Sequence, residues 1–147
     1  MRELRGEGKK IVATNGCFDL LHPGHIRYLK AARALADVLV VGLNGDESVR
    51  ALKGAGRPIN NENDRAELVA ALESVDLVTI FPEVRATHFI EQAAPDVYVK
   101  GGDYNPDTLN PDERAMLEKI GSKIEIVPFE KGHSTSALLE KLRTDAK

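Results

Sequence analysis

Two histidines stand three residues apart in Asn15-Gly16-Cys17-Phe18-Asp19-Leu20-Leu21-His22-Pro23-Gly24-His25. Imidazoles placed this way can donate hydrogen bonds to phosphate oxygens and stabilise charge that grows during transfer. Pro23 presets φ, and Gly24 lets a ligand approach the backbone closely. A helix starting here adds free N–H groups and a partial positive charge, which suits phosphate. Three other assignments stay open. His-x-x-His can chelate a metal, although no third ligand is adjacent and a helical zinc pair is usually spaced by four. Cys17 and a histidine could form a nucleophilic pair, although no local signature accompanies them. The plain alternative is a small buried cysteine beside two loop histidines.

Further charged and hydroxylic residues cluster near predicted element ends. Ser134-Thr135-Ser136 opens the last helical pattern, where hydroxyls and N–H groups suit β- and γ-phosphates or simply cap the helix. Lys53, Arg57 and Arg65 are candidate cations for a leaving pyrophosphate or an acceptor phosphate, against the plain reading of solvated surface charge. Arg65 also has Glu62 and Asp64 nearby as pairing partners. Residues 52–58 read as a mobile loop that could close over substrate. In Lys100-Gly101-Gly102-Asp103-Tyr104, glycines let a ligand come near, and Asp103 could hold a sugar hydroxyl or orient Lys53 or Arg57. On residue types alone, a turn stabilised by Asp103 accounts for this stretch as well.

Strands are predicted over 10–14, 38–43, 77–81, 97–100 and 124–127, and helices over 26–35, 63–72, 87–94, 111–120 and 134–142. Residues 38–43 form a continuous apolar run, as expected for a strand covered on both faces. Asn110-Pro111-Asp112-Glu113 combines an N-cap, a first-position proline and a third-position acid. Asp37, Asp76 and Asp96 each open a strand. The alternation predicts an α/β fold, a Rossmann-like doubly wound parallel five-stranded sheet with helices on both faces. Such sheets bind ligands outside the carboxyl ends of their strands, at the switch point, which is where the histidines fall.

The chain has 147 residues, 42% hydrophobic and 29% charged, and a net charge of −3. One domain over 1–147 is expected, and disorder or coiled coil over the whole chain is excluded. The acidic balance argues against a broad nucleic-acid face, and the absence of Trp leaves few stacking platforms. A lone cysteine points to a reducing compartment. The first ten residues lack the apolar run of a signal peptide, and residues 36–43 are too short to span a bilayer. A cytoplasmic protein with no nucleic-acid or membrane partner is expected.

Gly-x-Phe-Asp and His-x-Gly-His together resemble the cytidylyltransferase-like branch of the nucleotidyltransferase superfamily. Leu52-Lys53-Gly54, Arg57-Pro58, Asp64-Arg65, Val99 to Tyr104 and Gly132-His133-Ser134-Thr135-Ser136 extend the resemblance over residues 9–142. The set is most similar to the heptose 1-phosphate adenylyltransferase domain of ADP-heptose synthases. The resemblance implies transfer of AMP from ATP to D-glycero-beta-D-manno-heptose 1-phosphate, giving ADP-heptose and pyrophosphate for lipopolysaccharide or surface glycans. It implies His22, His25, Lys53 and Arg57 as catalytic residues. Nucleotide would be held by Asn15, Gly16, Cys17, Phe18, Gly24, His25, Ser134, Thr135 and Ser136. The substrate-side set is Asp19, Lys53, Arg57, Arg65, Gly102 and Asp103, with Asp19 ordering its loop because a carboxylate aimed at phosphate would repel it. Magnesium would bind through the ATP phosphates, with no protein ligand set assigned, and the partners are ATP and a sugar phosphate. A homodimer is expected by analogy.

Glycerol-phosphate cytidylyltransferases, which also resemble this chain, carry an Arg that helps read cytosine where Phe129 stands here. His133 and Ser136 depart from their motif as well, and the expectation is ATP over CTP. His133 could stack beside the base or sit in the loop. FAD synthetases share the same elements, which keeps FMN as an alternative acceptor. Bifunctional family members also carry a sugar kinase domain, for which 147 residues leave no room, so a stand-alone transferase is expected. The alternative from another class is a nucleotide-binding module without turnover. Against it stands the His pair with Lys53 and Arg57, because a pure binder has no need of both histidines.

Overall fold

The computed structural model describes residues 1–102, 105–128 and 132–146. Five strands, β1 (Ile11–Gly16), β2 (Val38–Asn44), β3 (Leu77–Phe81), β4 (Val97–Gly101) and β5 (Lys123–Val127), pair in the order β3-β2-β1-β4-β5. Every pairing is parallel. The helices are α1 (Arg2–Gly6), α2 (Pro23–Arg33), α3 (Asp46–Lys53), α4 (Glu62–Ala70), α5 (Thr87–Ala93), α6 (Pro111–Ile120) and α7 (Thr135–Asp145), with a 3-10 turn at Pro106–Thr108.

Strand alternation divides the core between the two sheet faces. Ile11, Ala13, Val38, Val40 and Tyr98 pack with Phe89 and Ile90 of α5 and Leu117 of α6. Val12, Leu39, Val41 and Val99 face the other way, onto Tyr28, Leu29 and Ala32 of α2 and Val69 of α4. The expected doubly wound sheet is therefore observed. β2 lies between β1 and β3 and is buried at every position, as its apolar run over residues 38–43 requires, with the polar Asn44 buried at its end. The chain runs outward from β1 to β2 and β3, then returns to the far side of β1 as β4. The switch point lies between β1 and β4.

The aspartates that open strands have a specific use. Asp37 accepts from the Lys10 N–H at 2.8 Å, Asp96 from the Ile11 N–H at 2.7 Å and Asp76 from the Leu39 N–H at 2.8 Å. Each carboxylate thus satisfies a donor at the amino end of the neighbouring strand, where the ladder supplies none. Asp96→Ala strips the partner from the Ile11 N–H and is expected to cost about 1–3 kcal/mol, read as a lower urea midpoint with an unchanged m-value.

Several local expectations needed correction. Helix α3 extends into the stretch 52–58 expected as loop, so Lys53 sits on its last turn and only Gly54 onward is loop. The apolar residues Ile26, Leu29, Ala32 and Leu35 recur at helical spacing over 26–35, yet only Leu29 and Ala32 are buried. On α4 the inward pair is Arg65 and Val69, while Leu68 is 47% exposed. Helix α4 starts where its cap dictates, with Asn61 Oδ1 accepting from the Asn63 and Asp64 N–H groups at 3.0 Å.

Candidate active site

β1 delivers the chain into a loop shaped around one aromatic ring. Phe18 is buried with φ +47, and a Cβ on Gly16 would stand 2.8 Å from its ring. The loop ends at His22, whose extended backbone caps α2 ahead of Pro23. The His22 N–H donates to His25 Nδ1 at 3.3 Å, and the two rings stack with centroids 3.8 Å apart. Phe18 backs His25 at 5.3 Å, and His133 lies 6.2 Å from His22. A Cβ on Gly24 would come within 2.9 Å of the His22 ring and 3.1 Å of His133 Cβ. Gly24→Ala therefore displaces the His22 ring and is expected to lower turnover on the order of 10–100-fold, measured as steady-state kcat beside a melting curve.

The protonation states follow from burial. His25 is pushed down to about 4 by burial and then by His22. His22 is lowered by burial and then by His133. Both rings are neutral near pH 7. Because His25 Nδ1 accepts, its proton sits on Nε2, which is left as a donor. Burial pushes the Cys17 thiol up, against the pull of Lys53, Arg65 and Arg57, so Cys17 is a thiol and not a thiolate. No resting thiolate is therefore poised for attack. The chelating assignment finds no third ligand, because the described residues contain no group of three His, Cys, Asp or Glu fit to hold a metal.

The cations divide into two kinds. Asp19, with a side chain 1% exposed, accepts from the Ile59 and Asn60 N–H groups and from Arg57 Nε at 2.7 Å. Burial alone would raise its carboxyl; the Asn60 and Ile59 N–H groups and Arg57 outweigh it and hold it below the usual range. Asp19 thus orders the loop and aims Arg57. Arg65 is fully buried and belongs to the scaffold. It donates to the carbonyls of Cys17 (2.7 Å), Asn44 (2.8 Å) and Asn60 (2.9 Å) and to Asp46 Oδ1 (2.8 Å), so it pairs with neither Glu62 nor Asp64 and does not face the cleft.

These elements enclose an open cleft of about 510 Å³ at the carboxyl end of the sheet. Asn15, Gly16, Cys17, Phe18, Asp19, His22, His25, Lys53, Arg57, Ser134, Thr135 and Ser136 line it, so most of the sequence-derived set is brought together. Ser134 caps α7 by accepting from the Ala137 N–H at 3.0 Å, and Thr135 ties that helix to the Leu20 carbonyl at 3.1 Å. Gly24 shapes the wall from behind, and Gly102 donates to the Val127 carbonyl without lining the cleft. Asp103, Tyr104 and residues 129–131, on which the choice of base rests, lie outside the described residues. Tyr28, Asn44 and Lys100 also line the cleft, as does His133, which stands beside His22. Lys100 adjoined a glycine pair at a strand end, which was the available signal; Asn44 had none.

Comparison with known proteins adds independent information. A family model described as cytidylyltransferase-like matches residues 13–144. The chain is 52% identical over 137 residues to the bifunctional protein HldE of Geotalea uraniireducens (strain Rf4), covering 93% of this chain and 28% of that protein. It is 50% identical over 141 residues to HldE of Bradyrhizobium sp. (strain ORS 278), covering 96% and 28%. The chain thus spans about 28% of the length of these curated relatives. A lipopolysaccharide core biosynthesis protein from Thermoplasma volcanium GSS1 superposes with a TM-score of 0.69 at 31% identity, covering 86% of this chain and all of that one. Thermotoga maritima TmcAL bound with alpha-thio ATP superposes at 0.67 with 14% identity, a likeness of fold alone. No helix among the described residues is long and apolar enough to cross a membrane.

Proposed function

From the premise that this chain belongs to the cytidylyltransferase-like family of nucleotidyltransferases, we propose that it transfers AMP from ATP to the phosphate of D-glycero-beta-D-manno-heptose 1-phosphate, releasing pyrophosphate and forming ADP-heptose. The observation that carries the reading is the stacked, neutral imidazole pair at the start of α2, in one cleft with the start of α7, Lys53 and Arg57. An acceptor phosphate oxygen attacks the α-phosphorus as the bond to the β-phosphate oxygen breaks, so no covalent enzyme intermediate is needed. His22 and His25 donate to oxygens around the reacting phosphorus. The α7 start and Ser136 meet the β- and γ-phosphates, and Lys53 and Arg57 neutralise the leaving pyrophosphate or the acceptor. Magnesium would come with ATP as part of the substrate and would supply charge neutralisation there; Asp19, the carboxylate among the residues lining the cleft, is engaged by Arg57 and the loop backbone.

The acceptor rests on the resemblance to ADP-heptose synthases and on the HldE relatives. The cytoplasmic reading rests on the lone cysteine, the single-domain reading on length and composition, and the homodimer on analogy. The test is pyrophosphate release with ATP and heptose 1-phosphate, run beside CTP with glycerol 3-phosphate and ATP with FMN. Release in the first pair alone is expected. Release in another pair replaces the acceptor or the base, and ATP binding without release from any pair overturns the reading in favour of a nucleotide-binding module.

A further inference from the structure

Glu113 occupies the third position of α6, where an acid reads as helix-start chemistry, yet its carboxylate serves other elements. Asn110 caps this helix, accepting from the Asp112 and Glu113 N–H groups at 3.0 and 3.3 Å. The Glu113 side chain is 8% exposed, with Oε1 accepting from the Ala86 N–H at 2.8 Å and Oε2 3.8 Å from Lys100 Nζ. Lys100, 12% exposed, donates to Asn15 Oδ1 at 2.9 Å, and the Tyr98 hydroxyl donates to the same oxygen. Lys100 and Asn15 line the cleft; Glu113 does not.

A chain of contacts therefore runs from α6, behind the sheet, to the floor of the cleft at the switch point between β1 and β4. Burying an ammonium and a carboxylate at this separation is a poor way to add stability, because desolvation of both groups offsets their attraction. We propose that Glu113 is a positioning residue that holds the Lys100 ammonium on the cleft floor beside Asn15, where this cation meets the anionic substrates. The substrates in this inference rest on the transferase reading; the contact chain does not.

The consequence has a definite sign. Burial draws the Lys100 ammonium down, and the Glu113 carboxylate pushes it back up. Among the described residues, the titratable groups facing it include Tyr98 on its own strand, whose ring lies 5.5 Å away, and Glu113 on α6. Without the carboxylate, Lys100 sheds its proton at lower pH.

The experiment is an NMR titration of the Lys100 ammonium in the substrate-free full chain, paired with the alkaline limb of kcat/KM for whichever substrate pair the wild type turns over. Glu113→Gln is expected to lower the titration midpoint by about one unit and to move the limb with it, with activity recovering toward neutral pH. In a Lys100→Met background the same change is expected to add no further loss. An unmoved midpoint, an unmoved limb despite a lower melting temperature, or losses that simply add would overturn the proposal. Should Glu113→Gln fail to fold, Lys100→Arg decides, since an alkaline limb that persists with a non-titrating guanidinium overturns it. If the wild type turns over no pair, the transferase reading fails, while the titration alone still decides whether Glu113 governs Lys100.

Discussion

His25→Ala is expected to lower kcat by about two orders of magnitude while the dissociation constant of ATP changes far less. The asymmetry follows from where the ring is held. Its Nδ1 is taken by the His22 N–H, its face is stacked on His22, and Phe18 backs it. What remains is one Nε2 donor, fixed before substrate arrives. A donor fixed in advance stabilises charge that appears only as the phosphoryl group moves, and does so without reorganising. On the proposed function, ground-state ATP has other anchors in the start of α7 and the cleft cations, so binding is expected to survive the loss. Single-turnover rates with separately measured ATP binding check this, and a loss confined to ATP binding with kcat unchanged would remove the transition-state role. The pH dependence has a definite direction. Protonation of His25 is disfavoured until about pH 4, so in the free enzyme its donor form persists across the neutral range. As pH falls toward that value, Nδ1 gains a proton, the bond from the His22 N–H breaks, and kcat/KM is expected to fall.

Much of this arrangement is visible in residue types. The sheet follows from five apolar runs separated by helical patterns, and β2 declares its burial on both faces by the unbroken apolar run from Val38 to Leu43. The histidine loop is legible because Pro23 and Gly24 mark both a helix start and a close approach. Helix α3 escapes the pattern because Val49 is its one fully buried apolar residue, so apolar periodicity has almost nothing to register. Its charges were the better signal, with Asp46 and Glu47 in the first turn and Arg50 and Lys53 in the last, matching the helix dipole. Glu113 shows the opposite failure, because a local explanation sufficed and the long-range partners 13 and 27 residues away went unread. The strand-opening aspartates form a pattern in the sequence whose cause lies in the fold, since their partners are strand neighbours that only the folded sheet supplies.

Arg65 is the residue for which sequence and structure diverge most, and its substitution separates two physical roles. As a substrate cation, its loss would raise KM and leave stability untouched. As a buried strut, it joins the loop after β1, the end of β2, the start of α3 and the loop before α4 through four donated bonds. Arg65→Met is therefore expected to cost about 3–5 kcal/mol, since it strands three carbonyls and leaves Asp46 without its partner. Against a typical stability of roughly 5–15 kcal/mol, that unfolds a marginal domain or drops its melting temperature steeply. Arg65→Lys keeps the charge but has a single nitrogen in place of a planar fork, so it recovers only part of the loss. Urea unfolding of the two variants, read beside KM, checks the assignment: a melting curve like the wild type with a raised KM would return Arg65 to the substrate. The strut also accounts for how the cleft cations are held, because the segments that carry Asp19, Lys53 and Arg57 are anchored from below by a guanidinium that does not line the cleft.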